Sequence, residues 1–196
     1  MLHNDPTNTI EDAQRDMRRA YAGGADGALT SATAWLVAAI VGSAVELRTG
    51  VITLLVGGMS IFPVSVVVGR LMGHSGRHAK DNPLAPLAIQ GTIWMLLCII
   101  IAIAVAAHRI DWFFPAMLMI IGGRYLTFAT LYGRRIYVIF GATLAGIAVP
   151  LVLFRTPAMT GAWAGAFTEY VFGILIWMAE RRNSSEEVHP RSNPDA

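Results

Sequence analysis

Apolar and polar positions are segregated along this chain rather than mixed. Six long apolar runs cover 27–45, 51–72, 85–107, 112–132, 136–154 and 159–178, and the charges collect in the breaks and at the two ends. Each run is close to the roughly 20 residues that carry a helix across the hydrocarbon core of a bilayer. Stretches such as LLCIIIAIAVAA (96–107) do not alternate apolar with polar, as strands of a membrane barrel do. Backbone groups in lipid bond within their own segment, so the pattern predicts an all-α, polytopic bundle of six transmembrane helices. The breaks are too short to hold a further domain. The chain thus divides into an amino-terminal segment, 1–26, a transmembrane domain, 27–178, and a tail, 179–196.

The two flanks have different patterns. In IEDAQRDMRRAYAGG (10–24), Ile10, Ala13, Met17, Ala20 and Tyr21 share one helical face and charges cover the rest, which predicts an amphipathic helix lying in the membrane interface. Asn8 or Thr9 is placed to cap it, with Glu11 or Asp12 in its first turn. The GGADG that follows lets the chain turn into the bilayer. The tail after Arg182, NSSEEVHPRSNPDA, is polar, bears prolines and reads as disordered.

Composition agrees with a membrane protein. Charged residues make up 14% of the chain, against about a quarter in soluble domains, and mean hydropathy is +0.53. The placement of the basic residues then predicts orientation. Eleven (Arg15, Arg18, Arg19, Arg70, Arg77, Lys80, Arg134, Arg135, Arg181, Arg182, Arg191) fall on the side of the termini, and only Arg48, Arg109 and Arg155 on the other. The positive-inside rule puts both termini in the cytoplasm. These charges face anionic lipid headgroups, and their scatter over four short segments argues against a nucleic-acid partner. The first 26 residues lack the apolar core of a cleaved signal peptide.

Several features have plain structural explanations. Cys98 has no partner cysteine in the chain and reads as a small packing residue. His74 and His78 stand at metal-binding helical spacing, but the surrounding glycines indicate a loop and no third ligand is placed to complete a site. Asp81-Asn82-Pro83 is expected to cap and start the third span. Gly57-Gly58 precedes Arg70 at the spacing with which Gly122-Gly123 precedes Arg135, which raises three hairpin repeats as an architecture.

The chemistry concentrates on charges inside the spans. Arg124 lies mid-way along the fourth span and Glu169 along the sixth, and a central charge costs about 2.5–3.5 kcal/mol on insertion scales. Arg124 is twelve residues from the outer end of its span and Glu169 ten, so both sit roughly 15–18 Å deep. Gly161, Gly165, Glu169 and Gly173 recur every four residues, a ridge of the kind that turns toward another helix. An ion pair between Arg124 and Glu169, or a polar cavity shared by them, is therefore expected. Gln90, near the inner end of the third span, is a third buried polar candidate. Pro63 and Pro150 each remove a backbone donor inside a span.

The segments RDMRRAYAGG (15–24), KDNPLAPLAIQGT (80–92) and DWFFPAMLMIIGGRYLTFATLYGRRIY (111–137) resemble those of a family of small bacterial membrane proteins known as a domain of unknown function. The resemblance spans most of the chain. It implies one compact domain in a bacterial inner membrane and brings no activity, substrate or catalytic residue with it. The leading functional expectation is a small-solute or ion transporter, or a channel-like module, with Arg124, Glu169 and Gln90 along the path. The alternative is a partner in membrane assembly or stress response, in which the Arg–Glu pair is purely structural. An enzyme is disfavoured, because no nucleophile–base pair, metal set or cofactor motif stands at suitable spacing. Self-association into a homo-oligomer stays open.

Overall fold

The structure, a computed structural model, describes residues 9–71 and 76–188. Among these the regular structure is entirely helical: α1 (Ile10–Tyr21), α2 (Ala25–Ala44), α3 (Leu47–Leu71), α4 (Ala85–His108), α5 (Phe113–Tyr132), α6 (Ile136–Leu153) and α7 (Met159–Val188), with short 3-10 turns at Ala22–Gly24 and Ile110–Trp112. Six helical stretches are long and apolar enough to cross a membrane, and α2 to α7 supply their apolar lengths. The protein is a multi-pass membrane bundle. We call the end that carries α1 proximal and the other end distal.

Apolar side chains gain little by leaving lipid for each other, so bundle helices associate where small residues let their surfaces approach. Helix α2 packs between α3 and α7, α5 packs on α6, α7 joins the two halves, and α4 lies against α5 at one edge. Gly42 and Gly50 form the α2–α3 crossing, where a Cβ on Gly42 would stand 3.0 Å from the Gly50 Cα. Gly122 forms the α5–α6 crossing, with 2.8 Å between an added Cβ and the Gly141 carbonyl oxygen. Gly165 of α7 sits against the Trp35 ring of α2. Around these contacts Phe113, Phe114, Leu118, Phe140 and Leu144 fill a fully buried core.

Helix α1 is where the sequence expectation named the right face but not its neighbour. Ala13, Met17 and Ala20 are buried, and what they face is the proximal end of the bundle. The cause is the carboxyl end of α5, whose last carbonyls have no partner within their own helix. Gln14 Nε2 donates to the Thr130 carbonyl at 2.8 Å and Arg18 Nη1 to that of Tyr132 at 2.6 Å. The Asp16 carboxylate accepts from the Ala79 N–H at 2.9 Å and from Asn82 Nδ2 at 2.7 Å, which ties the connection before α4 to the same cap. Thr9 caps α1 as expected and forms a reciprocal capping box with Asp12. These bonds from the Thr9 side chain and backbone hold the Asp12 carboxyl below its ordinary value. The helix ends where Ala22, Gly23 and Gly24 adopt φ of 50°, 59° and 89° in succession. At Gly24 the conformation and the space both require glycine, since a Cβ would stand 2.8 Å from the Tyr137 hydroxyl.

Other expectations are corrected in detail. Helix α7 continues ten residues beyond the predicted span end at Met178, reaching Val188. Arg134 Nη2 bonds Glu180 Oε1 at 2.8 Å and Arg181 lies 4.0 Å from the centre of the Trp177 ring, so side chains hold the first residues beyond Met178; residues 189–196 of the tail lie outside the described residues. Asn82 does not cap α4: its Oδ1 accepts from the Leu84 N–H at 2.9 Å, two residues on, and α4 begins at Ala85. The two glycine pairs are not equivalent, because Gly57 packs on α2, the helix before it, and Gly122 on α6, the helix after it. Helices α3 and α6 run through Pro63 and Pro150 without interruption. His78 meets the Tyr21 hydroxyl at 2.9 Å, while His74 lies outside the described residues.

Candidate functional site: a buried carboxyl and a half-buried guanidinium

The ridge on α7 faces protein as its spacing implied. Gly161 touches Phe114 of α5, Gly165 touches Trp35 and Gly173 touches Leu29 of α2, and Glu169 stands between the last two. The Glu169 side chain is completely buried. The hydroxyls of Ser31 and Tyr125 and the indole N–H of Trp35 face its carboxyl group. Neither carboxyl oxygen closes a hydrogen bond of ordinary geometry with any of them. The donors stand close enough to stabilise a charge yet leave both oxygens open. A bare carboxylate in such surroundings is costly, and a proton or a cation bound to it removes the cost.

From Glu169 toward the proximal end runs a stack of aromatic rings. Tyr125 lies 3.8 Å from Phe140 between ring centres and 6.1 Å from Tyr137, and Tyr137 lies 5.5 Å from Tyr132. The Tyr137 hydroxyl donates to the Gly23 carbonyl in the turn after α1. Glu180 packs against Gly23 and holds Arg134. A file of buried tyrosines thus connects the mid-bundle carboxyl to charged groups beneath the α1 cap. Asp26, in the first turn of α2, is buried near this end as well.

Arg124 is elsewhere. The expected ion pair with Glu169 does not form: Arg124 Nη1 donates to Thr92 Oγ1 of α4 at 3.1 Å, and its guanidinium carbon lies 5.2 Å from the centre of the Phe128 ring. The difference lies in the direction in which Arg124 points. Tyr125, the next residue along α5, faces Glu169, and successive helical residues point about 100° apart. That leaves Arg124 toward the edge helix α4, where it is half-buried. Gln90 is exposed on α4 and joins neither group.

Ser31, Trp35, Tyr125 and Tyr137 were not legible as site residues in the sequence. Serine, tryptophan and tyrosine are ordinary inside apolar spans, and only the packing of α2, α5 and α7 brings them to one carboxyl group. A lateral groove of about 690 Å³ also runs between α2 and α3, lined by Asp26, Thr30, Thr33 and Ser60 among apolar neighbours. It shares no lining residue with the surroundings of Glu169.

A sequence model of a family of unknown function, DUF7010, matches residues 10–179, which include α1 to α6, most of the α7 span, and Ser31, Trp35, Arg124, Tyr125, Tyr137 and Glu169. The chain belongs to this family. No curated protein and no solved structure matches it.

Proposed function

We propose that this protein is a small-solute or ion carrier whose working group is Glu169, taking up and releasing a proton during the cycle. The observation that carries the reading is a completely buried carboxyl group with both oxygens open, facing three donors inside a six-helix membrane bundle. Intramembrane acids in such positions commonly serve as proton-relay groups, and a titrating acid needs donors that accommodate its charge when the proton leaves. Ser31, Trp35 and Tyr125 are suited to that task, and the tyrosine file offers hydroxyls toward the proximal end. The distribution of basic residues supports a cytoplasmic proximal end, with α1 lying over the cytoplasmic side among anionic headgroups.

The test is infrared difference spectroscopy of the full chain in bilayers, comparing pH values and H₂O with D₂O, for the wild type and Glu169→Gln. A carboxyl band that responds to bulk pH, shifts on deuteration and vanishes in Glu169→Gln is expected. A Glu169 band that neither titrates nor exchanges would overturn the carrier reading. It would favour a structural role for the carboxyl in a membrane assembly partner.

A further inference from the structure

Three arginines near helix ends, Arg15, Arg109 and Arg134, are neutralised by nearby acids. Arg109 grips Asp111 through two bonds, Nε to Oδ1 at 3.1 Å and Nη2 to Oδ2 at 2.8 Å, and Arg134 holds Glu180. Arg124 differs. No carboxylate among the described residues lies within ion-pair distance of it, and it closes one hydrogen bond, to Thr92. An arginine side chain keeps its proton in proteins and offers five N–H donors. A guanidinium with most of its donors idle inside a membrane span is incomplete.

Its surroundings define what would complete it. Phe128 covers one face of the guanidinium, and Thr92 takes Nη1. The edge formed by Nε and Nη2 carries no bond. The adjacent hydroxyls add no donors: Thr92 donates to the Ala88 carbonyl at 2.9 Å, and Thr127 to the carbonyl of Arg124 itself at 2.7 Å. The free edge is a fork of parallel N–H bonds, which matches two oxygens of one carboxylate or phosphate and is poorly used by a spherical halide. Approach is lateral. Helix α4 rests mainly on α5, and one of its small residues, Gly91, faces Thr127 at their contact.

We propose that Arg124 anchors an oxyanion site at the α4–α5 edge, taking one carboxylate or phosphate group. This gives the carrier reading its substrate class and rests on that reading only for transport; binding stands by itself. Because Arg124 and Tyr125 are consecutive on α5 and point about 100° apart, an anion at one and a proton at Glu169 would act on the same turn of helix from different sides. The oxyanion has two sources, a free solute or the phosphate of a phospholipid lying against the α4–α5 edge.

The experiment uses the purified full chain in a phosphate-free maltoside detergent. Arm one follows the melting temperature against acetate, inorganic phosphate and chloride. Arm two counts phospholipids retained in native mass spectra. Both are run on the wild type, Arg124→Gln and Arg124→Lys, the lysine keeping the charge and losing the fork. Stabilisation by acetate or phosphate at concentrations at least tenfold below those needed for chloride, weakened tenfold or more in Arg124→Lys, establishes a free-solute site. One tightly retained phospholipid in the wild type, absent from Arg124→Lys, establishes a lipid phosphate as occupant. Equal response to chloride, an unaltered response in Arg124→Lys, or neither oxyanion stabilisation nor a retained lipid overturns the proposal. The lysine variant carries the test if Arg124→Gln does not fold. A titrating Glu169 combined with a failed Arg124 test leaves the carrier reading intact, so the two can fail separately.

Discussion

Helices α4 and α5 are neighbours of similar length, yet the bundle treats them oppositely. Of the most apolar part of the α5 span 44% is buried in protein, and of the α4 span 6%. Helix α4 has the higher mean apolarity and presents Ile93, Trp94, Leu97, Ile100 and Ile101 outward; α5 carries Gly122, Arg124, Thr127 and three tyrosines or phenylalanines toward its proximal half. In a soluble protein the greasier helix would be the core helix. In a membrane the order inverts, because lipid satisfies α4 and only protein satisfies the polar and small residues of α5. Helix α3 resembles α4, with 11% of its span buried and Met59 and Phe62 turned outward. The chemistry of this protein therefore sits on α2, α5 and α7, and the edge helices close it laterally.

The largest expected effect compares two adjacent glycines of α5. Gly122→Leu drives a side chain into the Gly141 backbone and should lower stability by about 3 kcal/mol or more, to the point of losing monodisperse protein in size-exclusion chromatography. A Cβ on Gly123 meets nothing within 4 Å, so Gly123→Leu should elute and melt as the wild type does. Equal damage by both would mean that α4 and its side of α5 are packed as tightly as the core.

Glu169→Leu comes next. Removing two buried, open oxygens removes a desolvation penalty of about 1–3 kcal/mol. The melting temperature should stay level or rise, against the usual fall for a change at a fully buried residue. A steep fall would show that Glu169 is bonded and structural.

Asp16→Ala tests whether the α1 cap belongs to the packed half. It deletes the acceptor of the exposed Ala79 N–H and one of two for Asn82 Nδ2, which keeps the Ala13 carbonyl, at a cost of about 0.5–1.5 kcal/mol. Faster proteolysis of the 72–84 connection with an unchanged pattern elsewhere is expected. An unchanged cleavage rate would mean that Asp16 does not hold this connection to α1.

The smallest effect is on pH. Asp12 is held below its ordinary value of 3.8 by Thr9, so its contribution to the start of α1 is present above that value and is lost as pH falls through and below it. Amide exchange at the first turn of α1 should quicken on acidification relative to α2, and Asp12→Asn should abolish the difference.

How much of this was legible in the chain depends on the kind of question. The spans were readable to within a few residues because lipid imposes one length and one composition on each of them. The buried face of α1 was readable from Ala13, Met17 and Ala20, but not its neighbour, since an apolar face looks the same whether lipid or the end of α5 covers it. Thr9 and Asp12 were readable as a cap because capping is a contact between residues three apart.

The sequence by itself determined that this is a six-span helical membrane protein and that Glu169 lies on a ridge facing protein. Tertiary structure decided which side of α5 meets which neighbour. Depth along a helix follows from counting residues at 1.5 Å each, a local quantity. Azimuth follows from which helices pack together, a property of the whole bundle. That is why Glu169 meets Ser31, Trp35 and Tyr125, and why Arg124 faces α4 with one bond to Thr92 and an open fork.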